Sequence, residues 1–90
     1  MDVRKINVTG NGTVFEGWKT GNQAWIFRES GSFVINFDVD PSFTGNYVEI
    51  YSSIAGFLFP NKIWCGGVQV RIRITSFASM GILSVNWRDL

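Results

Sequence analysis

The amino-acid sequence predicts an all-β fold, a small antiparallel β-sandwich of about eight strands with a jelly-roll or immunoglobulin-like topology. Apolar residues alternate with other residues in several short stretches, as they do in strands that have one buried face. Turn-forming residues, glycine above all, recur between these stretches at the spacing of an all-β domain. No stretch keeps the three-four spacing of an amphipathic helix, so the apolar faces must be buried by packing one sheet against another.

The alternation is clearest in residues 32–39 and 68–75. In the first stretch the predicted core positions are Phe33, Ile35, Phe37 and Val39. In the second they are Val68, Val70, Ile72 and Ile74, and the outer face carries Gln69, Arg71, Arg73 and Thr75. Each stretch therefore predicts a strand with one face in the core.

Six further strands are predicted. Over residues 47–52 the alternation buries Val48 and Ile50 and places Tyr47, Glu49 and Tyr51 on the opposite face. Weaker alternation, bounded by residues that tolerate tight turns or positive φ, predicts the other five at 3–9, 13–18, 23–28, 60–65 in part, and 81–87.

The segment from residue 54 to residue 60 breaks this pattern, because apolar residues and a proline follow one another without a charge. Two interpretations stay open at this point. The segment either crosses beneath the sheets as a connection that fills the core, or forms a surface loop. In the second case Phe57 and Phe59 would contact a neighbouring subunit, as exposed apolar patches often do.

Length and composition limit the possible functions. Ninety residues form one domain, 1–90, which buries roughly two-thirds of its extended surface on folding. The formal net charge is only +1, which argues against nucleic acid as the main partner. The chain has neither the apolar core of a secretory signal nor a run long enough for a membrane span, so we expect synthesis in the cytoplasm and no membrane contact. Cys65 is the single cysteine, which excludes an internal disulfide.

Catalytic and metal-binding signatures are also missing. The chain contains no histidine, the usual general base near neutral pH and the commonest transition-metal ligand. Asp38 and Asp40 form the one close carboxylate pair, but they are too close together for glycosidase chemistry. The stretch from Asp38 begins like a calcium loop, yet Phe43 stands where such a loop needs glycine, so a turn capped by an aspartate explains it better. We therefore expect no enzymatic activity, no cofactor and no metal.

Arg71 and Arg73 share the outer face of one predicted strand, and two interpretations of them stay open. They can form cross-strand ion pairs with an acidic residue such as Asp38 or Glu49. Alternatively, together with Tyr47 and Tyr51 they form a docking surface, because arginine and tyrosine are enriched at protein interfaces.

The four tryptophans are many for so short a chain. Trp87 shares its predicted face with Leu83 and Val85, which places it in the core. Trp25 alternates with Ile26 and can face outward. An exposed tryptophan can stack on a sugar or become buried at an interface.

The stretches GWKTGNQAWIF at 17–27, SGSFVINF at 30–37 and SVNW at 84–87 resemble jelly-roll carbohydrate-binding modules of the sixth family. The resemblance implies that Trp25 stacks on a sugar ring and that Asn86 forms a hydrogen bond to the sugar. One hypothesis is thus a carbohydrate-binding module that uses Trp18, Trp25 and Asn86.

The small, nearly neutral, cysteine-poor, all-β chain is also similar in build to bacteriophage capsid decoration, or cement, proteins. This similarity implies a non-enzymatic homo-oligomer of the virion, often a trimer, that is made in the host cytoplasm and clamps the seams between subunits of the major capsid protein. It is our leading hypothesis, because it accounts for both the apolar 57–59 segment and the arginine-tyrosine face. The interface would then have an apolar anchor, Phe57, Leu58 and Phe59, inside a polar rim of Tyr47, Tyr51, Arg71 and Arg73.

Overall fold

The computed structural model describes residues 2–19, 23–40, 43–54, 56–59 and 68–88, which form eight β-strands and no helix. The strands are β1 (Asp2–Val8), β2 (Gly12–Lys19), β3 (Gln23–Arg28), β4 (Ser32–Asp40), β5 (Val48–Ser53), β6 (Gly56–Phe59), β7 (Val68–Ser79) and β8 (Gly81–Arg88). The predicted all-β sandwich is confirmed. Within these ranges the chain offers no helix of the length and apolar character that a membrane span requires.

The strands form two four-stranded antiparallel sheets with the orders β1-β8-β3-β6 and β2-β7-β4-β5. The chain can be described as one long antiparallel hairpin centred between β4 and β5. Its successive strand pairs are β4–β5, β3–β6, β2–β7 and β1–β8. The pairs β3–β8 and β4–β7 fold this hairpin back on itself. Of the two predicted topologies, the strand order is that of the jelly roll.

The hydrophobic core lies between the two sheets. Its buried side chains are Val8, Ile26, Phe33, Ile35, Phe37, Val39, Val70, Ile72, Ile74, Leu83, Val85 and Trp87. The predicted core faces of β4 and β7 are confirmed, apart from Val68, whose side chain lies outside the described part of the structure. Burial of each large apolar side chain contributes about 1.5–3 kcal/mol, so this layer supplies the main stabilisation of the fold.

The ring of Trp87 confirms the prediction that this tryptophan belongs to the core. Its centroid lies 5.5 Å from that of Phe15 on β2 and 6.2 Å from that of Phe37 on β4. Trp87 therefore joins the two sheets at the end of β8. Trp64 and Cys65, together with the predicted strand at 60–65, lie outside the described residues.

A β-bulge at Ile50 changes the faces that were predicted for β5. Tyr51 lies opposite Phe37 and Glu49 lies opposite Asp38, so Ile50 is the extra residue between them. The bulge places Tyr51 opposite a core residue of β4 instead of on the face of Glu49, because directly opposed residues share a face. The expected burial of Val48 is also wrong, since β5 is an edge strand and leaves this side chain exposed.

Two glycines allow the turn before β4 to contact the turn before β8. A Cβ atom on Gly81 would lie 1.9 Å from the backbone oxygen of Ser30, and one on Gly31 would lie 2.7 Å from the Cα of Gly81. Gly31 also has a φ of 87°, which favours glycine. The two turns can approach this closely only because neither residue has a side chain.

Candidate functional site

Among the described strands, the edge strands β5 and β6 form one flank of the sandwich. β5 ends one sheet and β6 ends the other. Only residues 54 and 55 separate Ser53 from Gly56, so the end of β5 lies within about 11 Å of the start of β6. The opposite flank is formed by the other two edge strands, β1 and β2.

The β5 side of this flank is apolar and exposed. Val48 is 56% exposed, Tyr51 49% and Ile54 66%. The one charged residue of β5, Glu49, is bonded to Arg73 of the same chain, and the sequence of β6 is GFLF. The opposite flank is different, because its strands carry Asp2, Arg4, Lys5, Glu16 and Lys19. Charged residues commonly protect edge strands from pairing with other chains, and β5 and β6 largely lack this protection.

The strand β6 corrects both interpretations of the 54–60 segment. Residues 56–59 are neither a connection beneath the sheets nor a surface loop, because they pair with β3. In this register Leu58 lies opposite Trp25, Phe57 opposite the fully buried Ile26, and Phe59 opposite Ala24. Pairing is favoured because it satisfies backbone groups on β3 and β6 that would otherwise lack hydrogen bonds. The three predicted anchor residues therefore do not have equivalent positions.

Strand β3, which pairs with β6, also exposes apolar side chains. Trp25 and Phe27 are each 42% exposed, and they lie opposite Leu58 and Gly56. We call the exposed apolar residues Trp25, Phe27, Val48, Tyr51 and Ile54 the apolar band. They lie on β3, which pairs with the edge strand β6, and on or just after the edge strand β5. Large exposed apolar patches commonly mark interaction sites.

A network of charged residues covers the outer face of β4 and β7. Asp38 is 1% exposed and accepts hydrogen bonds from both arginines of β7. Arg71 Nε lies 2.9 Å from Asp38 Oδ2. Arg73 binds both carboxylate oxygens, through Nε and Nη2, and its Nη2 also lies 3.2 Å from Glu49 Oε1. The predicted cross-strand ion pairs are confirmed.

The pKa of Asp38 reflects two opposing effects. Burial is the largest single effect and raises the pKa of this carboxyl group, whereas the hydrogen bonds and positive charges of Arg73 and Arg71 together lower it by more, so it lies below its ordinary value of 3.8. The hydrogen bond to Asp38 in turn raises the pKa of Arg73 above its ordinary value. Asp38 therefore stays ionised at neutral pH, and its charge holds both arginines in place.

Tyr47 belongs to this network, whereas the bulge places Tyr51 on the opposite face of β5 from Glu49. The guanidinium carbon of Arg71 lies 4.1 Å from the centroid of the Tyr47 ring, within the range of a cation–π contact. Burial raises the pKa of the Tyr47 hydroxyl, and its hydrogen bond with Glu16 acts in the same direction. The structure thus brings Tyr47, Arg71 and Arg73 together, whereas Tyr51 belongs to the apolar band.

The residues predicted for carbohydrate binding are split between the two sheets. Trp25 and Asn86 lie directly opposite each other in the β3–β8 pair, and the predicted outward orientation of Trp25 is confirmed. The side-chain oxygen of Asn86 is buried and has no hydrogen-bond partner among the described residues. Trp18 lies on the other sheet, where its ring stacks on Phe43 with a centroid distance of 5.0 Å. A single site can therefore contain Trp25 and Asn86 but not Trp18.

In the stretch that begins like a calcium loop, Asp40 caps the backbone at Thr44 and Gly45, as predicted for an aspartate-capped turn. Asp40 is buried, and its Oδ1 and Oδ2 accept hydrogen bonds from the backbone N–H groups of Thr44 at 3.1 Å and Gly45 at 2.8 Å. Both carboxylate oxygens are thus used by the protein backbone. Over the described ranges, no group of three or more His, Cys, Asp or Glu residues is arranged to hold a metal ion.

Two parts of the apolar band were missed by reasoning from the sequence. Trp25 and Phe27 flank the core residue Ile26, so in a strand both point to the face opposite Ile26. An outward Trp25 therefore already indicated an outward Phe27. The exposure of Val48 and Ile54 had no such signal, because it depends on β5 being an edge strand.

Comparisons of this chain with protein-family models, with curated proteins and with solved structures return no match.

Proposed function

We propose that this chain is a non-enzymatic structural protein that binds other protein subunits through its apolar band, as a capsid decoration protein does. The observation that carries the proposal is the exposure of five large apolar side chains, those of the apolar band, on or beside edge strands that largely lack protective charges. Single exposed apolar residues need no explanation, whereas a group of them commonly marks an interaction site. Contact with a partner subunit would remove the band from water.

The anchor of the proposed interface is Leu58 with Trp25 and Phe27. Leu58 stands opposite Trp25 in the register, and Phe27 follows on the same face of β3. Large aromatic residues at the centre of an interface commonly contribute most of the binding energy. Phe57 is a weaker candidate than the sequence suggested, because its register partner Ile26 belongs to the core.

The charged network supplies part of the polar rim. Glu49 and Arg73 border the band on the β5 side, and Arg71 with Tyr47 lies behind them. The bonds to Asp38 fix the arginines before any partner binds, so little side-chain entropy would be lost on docking. A fixed arginine face of this kind favours the choice of one partner orientation over others.

The test is co-sedimentation of the labelled chain with empty capsids of the virus that encodes it. We expect the wild type to sediment with the capsids and the double variant Trp25→Ser, Phe27→Ser to lose attachment by at least tenfold. The matched control is Trp18→Ser, Phe43→Ser, which removes two exposed rings outside the band and should leave attachment unchanged. Equal attachment of both double variants, or no attachment of the wild type, would overturn the proposal.

A carbohydrate-binding module is the second candidate. It is favoured by one observation: Asn86, whose buried side-chain oxygen has no partner in the described part of the chain, lies directly opposite the exposed Trp25. Titration with a set of oligosaccharides, followed by tryptophan fluorescence, separates the two candidates. A saturable change that Trp25→Phe weakens and Trp18→Phe leaves intact would support sugar binding, and an unchanged spectrum would exclude it for that set.

A further inference from the structure

Each side chain of β5 points either to the inner or to the outer face of its sheet. The sequence of inner and outer positions is the same when β5 is read from either end. Val48, Tyr51 and Ser53 lie opposite the core residues of β4, and Glu49 and Ser52 lie opposite its outer residues. Ile50, the extra residue of the bulge, packs against the core. Along β5 the faces are therefore inner, outer, inner, inner, outer and inner, which is symmetric about the midpoint between Ile50 and Tyr51.

This order restricts which strand can pair with the side of β5 that faces away from β4, where none of the described strands lies. Directly opposed residues of an antiparallel pair must share a face. A regular strand alternates without interruption, so it can match the first or the second half of β5 but not both. The bulge therefore excludes most partner strands, as bulges at sheet edges commonly do.

A second copy of β5, running antiparallel, has the matching irregularity. With a two-fold axis between Ile50 and Tyr51, Ile50 faces Tyr51 of the second copy, and Val48 faces Ser53 of the second copy. All opposed residues then share a face. A two-fold axis through Ile50 is excluded, because it would place the outer Glu49 opposite the inner Tyr51. An axis through Tyr51 is excluded as well, because it would place the inner Ile50 opposite the outer Ser52.

The same arrangement is compatible with the charges of β5. Glu49 faces Ser52 of the second copy, so the two Glu49 carboxylates are not opposed, and each keeps its bond to Arg73. Val48 and Tyr51, which are exposed in the single chain, lose contact with water. The partner required on this edge is uncharged and carries the same bulge, and a second copy of the chain meets both conditions.

We infer that β5 pairs with β5 of a second copy across a two-fold axis between Ile50 and Tyr51 and joins two four-stranded sheets into one of eight strands. The inference rests on the proposed function in one respect, since both use the β5 side of the apolar band. It replaces the expected trimer with a dimer as the unit of self-association. Six residues span only about 20 Å, so the interface is smaller than the roughly 800 Å² per partner of a standard one, and the dimer forms reversibly.

The test uses Ser52, which is exposed in the single chain and faces Glu49 of the second copy in the dimer. Ser52→Lys creates two opposite-charge pairs across the axis, and Ser52→Glu creates two like-charge pairs. We expect the dissociation constant of the dimer, from sedimentation velocity over a range of concentrations, to fall by roughly two- to thirtyfold for the first and to rise by a similar factor for the second. Asn7→Lys, at an exposed position on the edge strand β1 of the opposite flank, is the matched control and should leave the constant unchanged.

A wild type that stays monomeric at all concentrations would overturn the inference. So would a dimer in which both Ser52 variants shift the constant in the same direction or not at all. A capsid-binding assay distinguishes failure of this inference from failure of the proposed function. A monomer whose capsid attachment still depends on Trp25 and Phe27 removes the inference alone, whereas a dimer with the expected charge response and no capsid attachment removes the proposed function alone.

Discussion

Arg73 binds both carboxylate oxygens of Asp38 from the neighbouring strand, and Arg71 binds one of the same two oxygens. Asp38 is thus the centre of the outer face of its sheet, although it is the most buried charged residue among those described. An ionised carboxylate can be buried this deeply only because two cations and three hydrogen bonds replace its water shell.

Replacing Asp38 by asparagine should destabilise the fold by about 2–4 kcal/mol, because two partly buried guanidinium groups lose their counter-charge. Chemical denaturation followed by tryptophan fluorescence measures this change. The control is Glu49→Gln, which removes a half-exposed partner of the same Arg73 and should cost less than about 1 kcal/mol. Equal effects of the two variants would contradict the central role of Asp38.

The Asp38 network also predicts how stability changes in acid. The pKa of Asp38 is lowered on folding, so its stabilising contribution is complete above its unfolded value of 3.8 and is lost as the pH falls through the folded value. The difference in unfolding free energy between wild type and Asp38→Asn should therefore shrink steadily below about pH 4. Parallel stability curves from pH 6 to pH 2.5 would show that Asp38 does not titrate in this way.

Asp40 should stabilise the turn before β5. Asp40→Ala leaves the backbone N–H groups of Thr44 and Gly45 without their acceptors, and we expect a loss of about 1–3 kcal/mol in urea unfolding. Thr44→Ala removes a weaker, exposed hydrogen bond to the backbone of Asn46 in the same turn and should cost less than about 0.5 kcal/mol. An Asp40→Ala variant with the unfolding free energy of the wild type would mean that water replaces the carboxylate as acceptor without loss of stability.

Gly81→Ala should be among the most damaging small substitutions in the chain. The added methyl group would overlap the backbone of Ser30, which cannot move without separating the two turns, so we expect a loss of more than about 2 kcal/mol. Gly10→Ala is the matched control, because no atom lies within 4 Å of its Cβ position, and it should change stability by less than about 0.5 kcal/mol. Thermal unfolding of both variants checks the contrast.

The strand positions were largely predictable from the sequence. Residues 23–28 and the core face of residues 32–39 follow from alternation alone, because the pleat of a strand is a local property. The ion pairs of Arg71 and Arg73 were predictable in kind, since opposite charges on one outer face pair across strands. The choice of Asp38 as their centre was not, because it needed the register of β4 against β7.

The candidate site was less predictable. The sequence marked residues 57–59 as unusual, but only the pairing with β3 shows that Leu58 and Phe57 have different neighbours. Trp18 and Trp25 are seven positions apart and were assigned to one site, yet they lie on different sheets, because β2 and β3 belong to opposite layers of the jelly roll.

From the sequence alone follow the all-β class, the main strands, the core faces of β4 and β7, and the types of residue on the outer face, since each depends on residues one or two positions apart. Only the tertiary structure decided which strands form the edges, where β5 bulges, and which aromatic side chains stay exposed. These features depend on contacts between residues that are distant in the chain, and no local pattern encodes the partner across a sheet.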